Sequence, residues 1–245
     1  MKKAVIITAR TQSNRFPGKI LKRISGKKRS IDILIERSKK IGHPIILATS
    51  TSKEDDKLCK HVKKYRDIKI FRGNKKNKIR RWQLCFKKYN IKIASMIDGD
   101  DLCFDYNLYK NNMFTKSILC CPGNIITGIF TNVLSSGTIN KLSKNLKRDI
   151  DTEMIEPLIK KKNIKKKIIK INKIYLNKKI RLTFDYKEDY ILLKKIFKKF
   201  STSEKTENIV KYLLKNKNLN EINYFREHDW KKNQQLKTKN TYLNL

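Results

Sequence analysis

Short apolar runs alternate with amphipathic segments over the first hundred residues. KAVIITA (3–9) and PIILATS (44–50) predict strands buried on both faces, because no polar position recurs at every second residue. IKIFRG (68–73) and IKIASMI (91–97) predict two further strands. The segments between them have helical spacing, clearest in SIDILIERSKKIG (30–42). This rhythm predicts an α/β fold, a three-layer αβα sandwich around a largely parallel sheet.

The pattern is weaker from about residue 105 to 180. NIITGIFTNVL (124–134) predicts a strand that enters a turn, and DIDTEMIEPLIKKK (149–162) predicts a short helix with an acidic start. KKIIKINKIYL (166–176) and KIRLTFD (179–185) predict two more strands.

Beyond residue 185 the chain is predicted to be helical. YKEDYILLKKIFKKF (186–200) is strongly amphipathic, and EKTENIVKYLLKNK (204–217) predicts a second helix. The tail from about 233 to 245 is polar and is expected to be frayed. With no internal repeat and no Gly/Ser-rich linker, residues 1–245 are interpreted as a single domain.

Two polar segments follow predicted strands and are candidates for chemistry. ARTQSNRFPGK (9–19) follows the first strand and DGDD (98–101) follows the fourth. Since ligands bind at the carboxyl ends of strands in such sheets, both segments are expected on one rim.

Charge is the unusual feature of the composition. The chain carries 60 Lys+Arg against 22 Asp+Glu, a formal net charge of +38. This excess suggests polyanion binding, but only 12 of the basic residues are arginine, and the lysines are mixed with isoleucine and asparagine throughout. A compositional bias and a functional basic surface both remain open.

Other classes of protein are disfavoured by the sequence. The five cysteines include no C-x-x-C pair and the three histidines are far apart, so neither a zinc site nor a disulfide framework is expected. No run approaches the roughly 18–20 apolar residues of a spanning helix. The chain is therefore expected to be soluble and cytoplasmic, without a membrane partner.

The loop at 9–19 has the composition of a phosphate cradle. Pro17 and Gly18 allow a sharp turn, and Arg10, Arg15 and Lys19 supply cations that can clamp phosphoryl groups. It is neither a P-loop nor a dinucleotide fingerprint. A basic surface turn is the alternative.

Acidic side chains supply the candidate metal ligands. Asp100, which follows a glycine, is placed to meet a hard cation such as Mg²⁺, although DGDD could also be a simple polar turn. Asp185 could be a second ligand, a helix N-cap with Glu188 as capping-box partner, or both. A further acidic cluster could attract neighbouring lysines or line an acceptor pocket; it contains Asp149, Asp151, Glu153 and Glu156.

Taken together, these segments resemble a known family. ARTQSNRFPGK has the A-R-x-x-S-x-R-x-P-G-K form that opens the cytidylyltransferases of surface-sugar activation. IILATSTSKEDD, IFRGNKKNKIRRW, MIDGDD and RLTFDYKEDYILLKKIF resemble further segments of the SpsF-like branch, which serves spore-coat polysaccharide synthesis. The matches follow the family's order over nearly the whole chain, and residues 105–178 match only loosely.

The resemblance implies a GT-A-like nucleotidyltransferase fold and Mg²⁺-dependent transfer of CMP from CTP to a sugar or sugar acid, with release of pyrophosphate. It implies that Mg²⁺ is held by Asp100 and Asp185, and that Arg15, Lys19 and Asp100 are catalytic. The nucleotide-binding residues that it implies are Ala9, Arg10, Ser13, Arg15, Lys19, Arg72 and Arg81.

Asp98, Asp151 and Glu153 are the predicted acceptor-binding residues. Residues 105–178 are predicted to serve acceptor binding or dimerisation, and the resemblance suggests a homodimer. Met96 and Asp98 depart from the family pattern, which has arginine and threonine there. Two other functions stay open: a nucleotide-sugar glycosyltransferase or other nucleotidyltransferase on the same fold, and a basic nucleic-acid-binding protein. Nucleic acid is the less favoured partner, because no RNP-like, KH-like or helix-turn-helix motif is present.

Overall fold

The computed structural model describes residues 2–114, 117–147, 150–176 and 178–243. The strands in this part of the chain are β1 Lys3–Thr8, β2 Arg23–Ser25, β3 Lys28–Arg29, β4 Ile45–Ser50, β5 Lys69–Gly73, β6 Ile93–Asp98, β7 Ile118–Cys120, β8 Asn132–Ser135 and β9 Lys166–Ile168. The α-helices are α1 Ser30–Lys39, α2 Asp56–Val62, α3 Lys78–Lys88, α4 Tyr106–Asn111, α5 Ser136–Ser143, α6 Glu156–Lys161, α7 Lys187–Lys199, α8 Thr206–Lys215, α9 Lys217–Glu221 and α10 Arg226–Leu243.

Seven strands form one sheet in the order β5-β4-β1-β6-β8-β7-β9. The first four are parallel, β8 is antiparallel to both of its neighbours, and β9 pairs in parallel with β7. The four strands predicted in the first hundred residues are thus confirmed. The largely parallel α/β architecture is also confirmed. β2 and β3 form a separate small hairpin.

Two apolar cores lie on opposite faces of the sheet. Side chains of β1 alternate between them, with Val5 and Ile7 in one core and Ala4 and Ile6 in the other. Helices α1, α7 and α8 cover the first face, while α3, α5 and α6 cover the second. Because both faces are buried, β1 reads as a continuous apolar run.

The second half of the chain departs from the predicted elements. The predicted strand at 179–185 is wrong: this segment is extended but outside any strand, with a single bridge from Arg181 to Thr127. Residues 180–185 are all buried, and the apolar Ile180, Leu182 and Phe184 fall at every second position, which produced the strand-like pattern. The strands predicted at 124–134 and 166–176 are confined to β8 and β9, and the helix predicted from 149 begins only at Glu156.

The tail expected to fray from about residue 233 is helical as far as Leu243. It is tied to the rest of the chain by an ion pair of 2.7 Å between Lys237 Nζ and Glu153 Oε1. Within the residues that the structure describes, no helix is both long and apolar enough to span a bilayer.

Candidate active site

The rim of the sheet where β1 and β6 end brings the two predicted polar segments together. Thr8 at the end of β1 pairs with Asp98 at the end of β6. Gly99 then donates its N–H to Thr8 O at 2.9 Å. A Cβ on Gly99 would lie 2.9 Å from Ala9 Cβ and 3.0 Å from Thr8 O, so the close approach of the two segments requires glycine.

The loop after β1 closes on itself at a left-handed glycine. Gly18 has φ of 68°, and its N–H donates to Thr11 O at 3.2 Å. The far side of the loop rests on Asp55, which accepts from Thr11 N and Thr11 Oγ1, each at 2.7 Å. These contacts hold the loop over the carboxyl end of the sheet.

Lys19 lies at the centre of the site. Its ammonium contacts Asp100 Oδ2 at 3.0 Å, Asp185 Oδ1 at 2.7 Å and the carbonyl oxygen of Phe184 at 2.6 Å. The Lys19 residue is only 9% exposed. Burial alone would lower its pKa, but Asp100 and Asp185 outweigh burial and raise the pKa of Lys19. It is therefore a fixed positive charge between two carboxylates.

Arg15 contacts the same carboxylate from the loop side. Its Nη2 is 2.6 Å from Asp185 Oδ1, and its guanidinium lies 5.7 Å from the ring centroid of Tyr186. Burial opposes ionisation of Asp185, but Lys19 and Arg15 outweigh it and hold the pKa of that carboxyl well below its ordinary value. Asp185 is thus ionised at neutral pH.

The extended segment before α7 carries Asp185 to this position. Its Leu182 N–H donates to Thr127 O at 2.9 Å, and its Phe184 N–H donates to Asp100 O at 2.8 Å. The second bond joins the backbones of the two acidic segments directly. Asp100 and Asp185 therefore come together although they are distant in the sequence.

Arg181, which lies within this segment, fixes it through ion pairs with three carboxylates. It is fully buried and pairs with Asp185 Oδ2 at 3.4 Å, with Asp189 Oδ1 at 3.0 Å and with Glu227 Oε2 of α10 at 2.9 Å. Buried charges are tolerated only when paired in this way. Sequence reasoning missed Arg181, and the signal available was a charged residue inside an apolar run.

The capping arrangement of α7 differs from the prediction. The N-cap is Tyr186, and Asp189 is the partner whose carboxylate accepts from the N–H groups of Asp185 and Tyr186 at 2.7 and 2.9 Å. The predicted pair of Asp185 as N-cap and Glu188 as partner is therefore wrong. Glu188 instead forms a 2.8 Å ion pair with Arg226.

A second group of charges lines the rim beside this cluster. Arg10 donates to Lys75 O at 2.8 Å and lies 3.8 Å from Glu153 Oε2. Burial raises the pKa of the Asp98 carboxyl. Repulsion from Asp100 and Glu153 raises it further, and the attraction of Lys78 offsets these effects only in part. Of the predicted acceptor residues, Asp98 and Glu153 are thus close enough for their charges to repel.

The third predicted acceptor residue contacts that group only through the backbone of Glu153 among the described residues. Asp151 is exposed and accepts from Glu153 N at 2.8 Å, which closes a local turn. Glu156 forms a surface ion pair with Lys166 at 2.7 Å. Asp149 lies outside the described residues.

The remaining predicted nucleotide residues lie around the loop. Ala9 is buried, and Ser13 Oγ accepts from Phe16 N at 3.4 Å. Arg72 contacts Ser50 O and Ser52 O at 2.9 and 2.7 Å. It has no described contact with the Lys19 cluster.

Arg81 is buried beneath the 74–75 turn and donates to Asn74 O at 2.7 Å. Burial lowers the pKa of its guanidinium to about 10, and the Arg10 cation adds to this effect. Its Nε has no hydrogen-bond partner among the described residues. Arg81 therefore supports the turn that Arg10 also contacts.

Comparison with known proteins finds chains of similar sequence and fold. A family profile described as "Cytidylyltransferase" matches residues 4–113. An uncharacterized protein of Methanocaldococcus jannaschii is 31% identical over 240 residues, which cover 91% of this chain and 95% of that protein.

Among solved structures, a cytidylyltransferase from Leptospira borgpetersenii serovar Hardjo-bovis is similar at a TM-score of 0.79 and 25% identity, with 89% of this chain and 96% of that chain covered. The structure of a CMP:2-keto-3-deoxy-manno-octonic acid synthetase complexed with CTP is similar at a TM-score of 0.59, with 81% of this chain and 99% of that chain covered. At 12% sequence identity, this structural similarity shows a common fold and no more.

Proposed function

We propose that this chain, which belongs to the cytidylyltransferase family and is a nucleotidyltransferase, transfers CMP from CTP to a sugar or sugar acid in a Mg²⁺-dependent reaction. The observation that carries the proposal is the convergence of Lys19, Arg15, Asp100 and Asp185 where β1 and β6 end. The synthetase whose structure is complexed with CTP shares the fold, and this supports CTP as the nucleotide.

The residues present fit a magnesium ion that is shared with the nucleotide. Mg²⁺ commonly takes one or two carboxylates and completes its shell with substrate phosphate oxygens. Asp100 has a side chain 28% exposed, and Asp185 lies with it around one Lys19 nitrogen. Within the described ranges no group of three or more His, Cys, Asp or Glu could hold a metal ion. A site completed by phosphate oxygens is consistent with this small donor set.

The chain's own residues would act by positioning and by charge. Arg15 and Lys19 would hold the triphosphate, and the Thr11–Gly18 turn, closed by the bond from Gly18 N–H to Thr11 O, carries Arg15 and is directly followed by Lys19. A hydroxyl oxygen of the acceptor bonds to the α-phosphorus and loses its proton to solvent, while the bond from that phosphorus to the bridging oxygen breaks and pyrophosphate leaves. Bound Mg²⁺ supplies stabilisation of the charge that develops on these oxygens.

The acceptor is proposed to lie at the second group of rim charges. Asp98 and Glu153 can accept hydrogen bonds from its hydroxyl groups, while Arg10 and Lys237 flank Glu153. A role in surface-polysaccharide synthesis, the SpsF-like branch, a cytoplasmic location and a homodimer all stay predictions.

Pyrophosphate release from CTP and Mg²⁺ with a panel of ulosonic, nonulosonic and ordinary sugars tests the proposal. We expect Asp100→Asn to lower turnover by roughly 10²–10³-fold, the usual cost of removing a group that stabilises transition-state charge. Asp67→Asn is the matched control, because Asp67 is an exposed surface partner of Lys39. Near-normal turnover by Asp100→Asn would contradict the site assignment.

Thermal denaturation with nucleotides separates the alternative chemistry. A ligand that binds the native state raises its stability by mass action. Stabilisation by CTP supports the proposal, whereas preferential stabilisation by a UDP-sugar would favour a glycosyltransferase.

A further inference from the structure

The Lys19 ammonium fills the position between the two carboxylates that the proposed metal site uses. Its three N–H groups have three acceptors: Asp100 Oδ2, Asp185 Oδ1 and the carbonyl oxygen of Phe184, at 3.0, 2.7 and 2.6 Å. An ammonium has three donors and no acceptor. In this state Lys19 therefore has no donor left for a phosphate, although the proposed function requires it to hold one.

The two carboxylates depend on Lys19 to different degrees. Asp185 is fully buried and has two other cationic partners, with Arg15 at 2.6 Å and Arg181 at 3.4 Å. Asp100 is partly exposed, and among the described residues Lys19 is its only ion-pair partner. Lys19 can therefore leave Asp100 without stranding the buried charge of Asp185, whereas Asp100 then needs a new cation.

From this geometry, and resting on the proposed function, we propose that Lys19 is an internal counter-cation that exchanges with the metal. While no nucleotide is bound, Lys19 neutralises Asp100 and Asp185 and disfavours a divalent cation there. The phosphates of the nucleotide draw the ammonium away from Asp100, which is then free for the metal. Asp185 keeps Arg15 and Arg181 as its partners. Metal binding and nucleotide binding are then coupled, and the coupling is reciprocal.

Titration with Mn²⁺ as the probe measures this coupling without any turnover. Free Mn²⁺ is followed by electron paramagnetic resonance, with the full chain and without nucleotide. We expect Lys19→Met to bind Mn²⁺ more tightly than the wild type by roughly 5–150-fold, the usual range for coupled sites. Lys22→Met is the matched control, because this substitution removes the same charge. Lys22 is exposed and lies against the ring of Phe16 instead of a carboxylate.

A second arm adds a non-hydrolysable α,β-methylene analogue of CTP. The wild type is expected to bind Mn²⁺ much more tightly with the analogue than without it, and Lys19→Met to gain less from the analogue. Equal Mn²⁺ affinity of the wild type with and without the analogue overturns the exchange. This arm needs no variant, and Lys19→Gln replaces Lys19→Met if circular dichroism shows that the latter is unfolded.

Asp100→Asn separates failure of the exchange from failure of the metal site. If Lys19→Met binds Mn²⁺ no better than the wild type while Asp100→Asn weakens binding, the exchange is wrong and the metal site stands. If Asp100→Asn leaves Mn²⁺ binding unchanged in both the wild type and Lys19→Met, with and without the analogue, the metal assignment in the proposed function is wrong. The exchange then fails with it.

Discussion

Asp55 offers a sharp test of how the loop after β1, residues 9–19, is held. This residue is 1% exposed and lies just before α2. One of its oxygens accepts from Thr11 N and Thr11 Oγ1, each at 2.7 Å. The other accepts from Thr49 Oγ1 at 2.9 Å, from Ser50 N at 3.1 Å and from Ser50 Oγ. Replacing Asp55 with asparagine keeps the volume but removes one acceptor.

The cost of Asp55→Asn follows from the two backbone donors. Whichever way the amide is turned, its NH₂ group faces either Thr11 N–H or Ser50 N–H, because these point at different oxygens. The hydroxyls can rotate to accept, but a backbone N–H cannot. One buried donor left unpaired costs about 1–3 kcal/mol, and loss of charge-assisted bonds brings the total to about 2–4 kcal/mol.

Urea unfolding of Asp55→Asn and the wild type measures this difference. Burial favours the neutral acid, but the bonds from Ser50, Thr11 and Thr49 outweigh it and lower the pKa of Asp55. A lowered native pKa stabilises the fold at pH values above the unfolded value of about 3.9. The difference in unfolding free energy is therefore expected in full near neutral pH, and to shrink as pH falls below that value toward the native pKa.

Glu54→Gln is the control, because it replaces a carboxylate by an amide at the neighbouring position, where Glu54 is exposed. It is expected to change stability by less than about 0.5 kcal/mol. The reasoning is refuted if Asp55→Asn is as stable as Glu54→Gln, or if its deficit does not shrink on acidification.

Three further predictions concern other parts of the molecule. Arg181→Met leaves the buried Asp189 without a cationic partner among the described residues and is expected to lower the free energy of unfolding in urea by about 3–5 kcal/mol. The exposed Lys231→Met is the control and is expected to be unchanged; equal stability of the two variants would contradict the buried network. Lys237→Met frees Glu153 and is expected to change KM for the acceptor more than KM for CTP in steady-state assays, and the reverse pattern would remove Glu153 from the acceptor site. If the charge of +38 is compositional bias, filter binding to mixed DNA or RNA is expected to be weak at physiological salt, whereas tight binding with a steep salt dependence would favour the nucleic-acid interpretation.

The first half of the fold could be predicted because its physical signals are local. The β1 and β4 segments are buried on both faces, so their apolar runs are unbroken, and the polar residues that follow mark the rim. The juxtaposition of Asp100 with the loop then follows from parallel pairing alone.

Residues 179–185 show where this reasoning fails. A strand pattern reports burial of alternate residues and does not report which backbone provides the hydrogen bonds. Here the partners are two loops, through Thr127 and Asp100, instead of a neighbouring strand. The support from Asp55, Arg181 and Glu227 was missed for a related reason, since each is a charge neutralised or bonded by residues distant in sequence.

The bond from Phe184 N–H to Asp100 O joins two segments that are far apart in the sequence, so neither segment alone can form the site. The family profile ends at residue 113, yet Asp185, Arg181 and α10 all lie beyond it. A fragment cut at that boundary would retain Lys19 and Asp100 but lose the buried carboxylate that anchors the ammonium. The proposed site therefore needs residues from both halves of the chain, and separately produced halves are expected to be active only when they are combined.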